Sequence, residues 1–157
     1  MKQTPEERTI AQRMAPGVLC REGFLGPDGR PLGEILDTDN STVAGLDRTH
    51  EQIAARLGEI LRQAVAGLGT PVRVGERLRC VYREAMGRIP CPWGRCGTFG
   101  KGEAELIDTA TGQTVRFTPL SVHLIAAHGF YQGRGSRYRL EPQRICRMLG
   151  LAAGREA

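Results

Sequence analysis

Residues 91–96 read CPWGRC: two cysteines with a proline, a tryptophan, a glycine and an arginine between them. Proline and glycine this close together mark a turn, so both thiols are held where the chain changes direction. Downstream lies HLIAAH, residues 123–128, with a histidine at each end. Cys91, Cys96, His123 and His128 together make two thiolates and two imidazoles. That is a closed tetrahedral set for zinc, with no coordination position left for a substrate water. The expected cofactor is therefore a structural Zn2+, with Cys80 and Cys146 as reserve ligands should one histidine fail. The bland alternative leaves Cys91 and Cys96 as small buried thiols, His123 on a core face and His128 capping a helix end.

Working outward, EAELID and TVRFT alternate in polarity and are joined by TATGQ, which reads as a hairpin with Gly112 in its loop. Thr118 then caps a helix, Pro119 takes its first position, where a missing N–H costs nothing, and Gly129 stops it. The order is cysteine knuckle, hairpin strands, and a helix bearing both histidines. This resembles a two-cysteine, two-histidine zinc finger over Cys91–His128, with Leu120 at the core-leucine spacing before His123. The resemblance implies a ββα unit and the four ligands already named. The 26 residues between Cys96 and His123 exceed the family's usual length, and a longer hairpin is expected to absorb them. Five residues of ideal α-helix turn through about 500°, which sets the two imidazoles roughly 140° apart. The last turn is therefore expected to loosen before His128. Registered on Leu120 and His123, the base-reading positions become Arg116, Pro119 and Val122. Only Arg116 can fork onto a guanine edge, so sequence-specific reading of the major groove by this helix is not expected.

Upstream, Ile53, Leu57, Ile60, Leu61, Ala64, Val65 and Leu68 recur at three- and four-residue steps, which predicts a helix over Arg48–Leu68. Thr49 and Gln52 have the form of its capping box, and His50 reads as a capping or packing histidine. VRVGERLRCVYRE predicts one or two strands, and Gly87 to Gly97 reads as irregular. Residues 1–20 read as a polar lead-in with a short helical turn around Pro5 to Met14. GFLGPDGRPLG is a turn cluster, and GEILDTDNSTVAGL is a short helix or irregular segment. Asp37 and Asp39 do not make a calcium loop, because the sixth-position glycine and the twelfth-position glutamate are missing. A last helix is expected over Pro142 to Leu149. The sum is a single α+β domain over residues 1–157: a mainly helical part at 21–70, then a basic part at 71–150 holding a small antiparallel sheet and the finger-like unit.

The net charge of +5 is uneven: residues 1–70 carry eight basic and ten acidic side chains, residues 71–150 thirteen and six. A basic half of this kind fits an anionic partner, nucleic acid or an acidic protein, and equally a solvated surface that keeps a small protein soluble. In GFYQGRGSRYRLEPQR, residues 129–144, arginines alternate with aromatics and glycines. With Arg116, this makes Arg134, Arg137, Tyr138, Arg139 and Arg144 the candidate anion-binding residues. The duller reading packs the tyrosines inward and leaves the arginines in water. No apolar run is long enough to span a bilayer, and MKQTPEERTIAQRM lacks the apolar stretch of a secretory signal. Cytoplasm, where thiols stay reduced, is the expected compartment. Catalytic signatures are thin: no nucleophile elbow occurs, and GRGSRYR lacks the ending of a phosphate loop. The functional expectation is a non-enzymatic zinc-binding protein. The alternative is a small enzyme with a thiol or metal site at Cys91, Cys96 and His123. The stretches EGFLG, RIPCPWG and FTPLSVHLIAAHGFYQGRGSRYRLEP are similar to small uncharacterised bacterial proteins, a resemblance that implies no activity.

Overall fold

A computed structural model describes residues 3–151. Thr4 and Glu7 close a capping box that starts α1 (Pro5–Arg13), so the N-terminal segment is a full helix where the sequence promised a turn. Ile10 and Met14 point from this otherwise charged segment into the interior. Proline-led α2 (Leu32–Gly45) follows, and α3 (His50–Ala66) begins at the Thr49–Gln52 capping box read from the sequence. Two short strands, β1 (Val72–Val74) and β2 (Leu78–Arg83), come next. The stretch expected to be irregular forms its own hairpin, β3 (Arg88–Pro90) and β4 (Thr98–Gly100), with CPWGRC as the connection. Then come β5 (Glu103–Asp108), β6 (Thr114–Phe117), α4 (Pro119–His128) and α5 (Pro142–Met148). The class is α+β, with antiparallel sheets between N-terminal and C-terminal helices.

The larger sheet has the order β1-β2-β5-β6 with every pair antiparallel. Its register places Cys80 between Val72 and Leu106, so alternate residues of neighbouring strands share one face. The inward residues Val74, Leu78, Cys80, Tyr82 and Leu106 meet the α3 stripe of Ile53, Leu57, Ile60 and Ala64 in a first core. A second core gathers Ile10 of α1 and Met14 directly after it, Phe24, Leu32 and Ile35 around α2, Ile89 and Cys91 of the small hairpin, and Phe130. α4 lies between the two cores, giving Ile125 to the first and Leu120 and Leu124 to the second. A helix covered on more than one side must be apolar nearly all round, which PLSVHLIAAH is.

Candidate metal centre

The small hairpin and α4 bring Cys91, Cys96, His123 and His128 together, with ligand atoms all within 4.8 Å of one another. His128 Nε2 lies 3.5 Å from Cys91 Sγ and 3.7 Å from Cys96 Sγ. Zinc bonds of about 2.3 Å to sulfur and 2.0–2.1 Å to nitrogen, set at the tetrahedral angle, put sulfur and nitrogen about 3.6 Å apart. The observed spacing is therefore that of two edges of a shared tetrahedron. His123 Nε2 is buried without a hydrogen-bond partner. Such an atom costs free energy unless something binds it, and a metal ion between the four donors would supply the missing bond. The donor set fits zinc.

Local backbone chemistry shapes the knuckle. Gly94 and Gly97 adopt positive φ, and Arg95 is carried into the left-handed region at φ 58° between them. The Gly94 N–H donates to the Cys91 carbonyl at 2.9 Å, closing the turn. From α1, Arg13 Nη1 donates to the Pro92 carbonyl at 2.8 Å. On the other side, α4 stays α-helical through His128 and ends at Gly129, whose φ of 61° turns the chain while Phe130 N–H reaches back to the Leu124 carbonyl. The helix therefore does not loosen before His128, contrary to the sequence-based expectation. The two imidazoles meet through side-chain reach, edge to face with ring centroids 5.3 Å apart.

Two aromatic residues of the hairpin hold the rings. Trp93 lies parallel to His128 at 4.1 Å and 6°, and Phe99 stacks on His123 at 4.6 Å. Neither was singled out in the sequence. The available signal was position, since Trp93 lies between the thiols and Phe99 three residues after the second. Burial pushes the Cys91 thiol up to about 11, partly offset by the amides of Trp93 and Gly94. Burial also lowers His123 and His128, the latter further through the charge of the former. Neutral imidazole is the form that binds metal. Cys80 and Cys146, the reserve ligands, lie fully buried in the first core and take no part in the cluster.

The finger resemblance is corrected in one respect. The hairpin carrying the cysteines is β3–β4, and the long separation before His123 is filled by a second hairpin, β5–β6, that belongs to the larger sheet. The unit has finger-like ligands within a different frame.

The candidate anion-binding residues do not face one way. Arg116 and Arg137 both pair with Glu103, at 3.3 and 2.9 Å, and the Tyr138 hydroxyl donates to the same carboxylate at 2.8 Å. Arg139 is drawn inside, where its guanidinium forks onto the Asp39 carboxylate. Arg144 has a buried Nε without a partner, and Arg134 is exposed. The glycines of GRG serve packing: a β-carbon at Gly133 would collide with the Leu25 carbonyl, one at Gly135 would lie 2.7 Å from the Pro27 ring, and on the facing loop one at Gly26 would lie 2.7 Å from Ser136 N. The loops at 24–28 and 132–136 interlock backbone to backbone.

Among the described residues, no helix is long and apolar enough to cross a membrane. No family model, curated protein or solved structure matches the chain.

Proposed function

We propose that this is a non-enzymatic zinc-binding protein in which Cys91, Cys96, His123 and His128 hold a structural Zn2+. Its basic half, residues 71–150, contacts an anionic partner, nucleic acid or an acidic protein. The observation that carries the reading is the convergence of two sulfurs and two imidazole nitrogens within 4.8 Å of one another, with both sulfurs at tetrahedral-edge distance from His128 Nε2. When bound, the ion contributes on the order of 10 kcal/mol of apparent binding energy to folding. Its effect is to tie the β3–β4 hairpin to the end of α4. All four tetrahedral positions would be filled by protein, which disfavours the enzymatic alternative, since catalysis at zinc needs an open one. A reduced thiolate pair suits the cytoplasm.

Protein purified without added zinc should contain about one equivalent per chain, and Cys91→Ala with His123→Ala should contain none. Cobalt substitution should produce sulfur-to-metal charge-transfer bands. A colourless cobalt sample together with a metal-free preparation would overturn the metal reading. The partner reading is separate: nucleic-acid binding must weaken steeply with salt, and retention that does not change with salt counts against it.

A further inference from the structure

A cleft of about 240 Å³ opens beside the metal centre and shares none of its four donors. Its apolar lining is Phe24, Ile89 and Leu120, all buried side chains of the second core. Gln132 also lines it. This residue is 4 % exposed and adopts φ 73°, a left-handed conformation that costs a side chain energy. The surroundings over-determine that strain. The Gln132 carbonyl accepts from Arg139 Nη1 at 2.9 Å, and the next amide, Gly133 N–H, donates to the Phe24 carbonyl at 3.0 Å. Gln132 Oε1 accepts from the Ser136 hydroxyl at 3.1 Å. Its Nε2 has no partner among the described residues, nor is it sealed away with the buried unpaired atoms.

Two exposed cations at the cleft, Arg21 and Lys101, have no acidic partner among the described residues, and one carboxylate, Glu22, lines the cleft with them. Arg137 also lines the cleft, but Glu103 already holds it. A nearly buried glutamine whose Nε2 has no partner among the described residues, lining one cleft with three buried apolar side chains and two cations free of ion pairs, has the composition of a ligand site: mostly apolar, with a few polar groups.

We infer that this cleft binds a small organic monoanion, a carboxylate with a compact apolar body. The carboxylate accepts from the Gln132 amide in the field of Arg21 and Lys101, and the body lies on Phe24, Ile89 and Leu120. The volume falls below the ~300–1,000 Å³ of drug-sized pockets, so the ligand is small.

The test is an amide NMR titration of the full chain, as purified, with benzoate, benzyl alcohol and benzylamine. Benzoate should shift the amides of Gly23, Gly100 and Gln132 saturably, with a dissociation constant on the order of 1 mM. Benzyl alcohol should bind about tenfold more weakly, and benzylamine more weakly still. Gln132→Gly is the decisive variant, because glycine accepts the backbone conformation while the amide is removed along with the rest of the side chain and its bond to Ser136. It should keep the fold and weaken benzoate about tenfold, as should Arg21→Ala combined with Lys101→Ala. Benzylamine binding as tightly as benzoate, shifts confined to another surface, or a Gln132→Gly protein with unchanged affinity would each overturn the assignment. None of these outcomes bears on metal content, so the metal reading stands or falls separately.

Discussion

Arg139 carries its charge inside the molecule, and Asp39 of α2 answers it from 100 positions earlier in the chain. Asp39 is 2 % exposed and the Arg139 side chain 9 %, and the two meet through a fork of paired N–H donors onto both carboxylate oxygens. The same guanidinium also donates to the Gln132 carbonyl and to Glu141. A charge removed from water this completely is tolerable only while its partner remains. Arg139→Ala should therefore cost about 3–5 kcal/mol in urea unfolding, because it strands Asp39. The pair Asp39→Leu with Arg139→Met should recover most of that loss, since an apolar pair of similar volume removes the buried charge altogether. A single substitution costing under about 1 kcal/mol would mean that water reaches the pair. The contact also explains why an arginine that looked available in the sequence is unavailable to any partner.

Helix α4 contributes side chains to both cores, and its start is fixed by a buried cap. The Thr118 hydroxyl accepts from Ser121 N–H at 3.1 Å, the Ser121 hydroxyl accepts from Thr118 N–H at 3.0 Å, and Thr118 is only 9 % exposed. Thr118→Ala should lose about 1–2 kcal/mol by denaturant titration, towards the upper end of the range because water cannot replace the lost oxygen. The same change at exposed Thr49, which caps α3, should cost about 1 kcal/mol or less. Both helices were legible because their signals are local: a cap, a proline or an apolar stripe within one turn. The β5–β6 hairpin was legible through its alternation and Gly112. The four candidate metal donors were legible through residue type and their spacing along the chain. Other features depend on contacts across the chain. Strands β3 and β4 have three residues each, too few for a period of two to register. In α1, only Ile10 is a buried residue of a helix otherwise polar on its faces, so its burial is decided by what packs against it. The Asp39–Arg139 pair and the interlocked glycine loops leave no short-range pattern at all. Trp93 and Phe99 were visible as aromatics, but their roles over the imidazoles depend on where α4 sits.

At the scale of the molecule, two cores share α4, and the charge pairs and the candidate metal cluster lie in different parts of them. Asp28 in the interlocked loops is held well below the usual carboxylate range by the Arg30 guanidinium, with burial opposing and the Arg134 N–H adding to the effect. A depressed carboxylate contributes stability that is complete above its unfolded value, about 3.9, and is lost as pH falls through the folded one. Asp28→Asn should therefore cost about 2 kcal/mol at pH 7, and the gap from the parent should begin to close below about pH 4. A gap constant down to about pH 2 would show that the oxygen matters as an acceptor and its charge does not. The proposed metal would act elsewhere. Its four donors lie on the β3–β4 hairpin and α4, at the margin of the second core, whereas the first core rests on α3 and the larger sheet with no donor among its strands. The hairpin has only three paired residues per strand, too few to hold its place by hydrogen bonds alone. Under the proposed metal reading, a strong chelator should therefore open the molecule locally before it unfolds globally. Hydrogen exchange should quicken at residues 88–100 and around 123–130, while amides of α3, β2 and β5 keep their protection. Uniform acceleration across both cores would mean that the ion stabilises the whole chain as one unit. No change at the hairpin would mean that Trp93, Phe99 and Ile89 hold it in place without the metal.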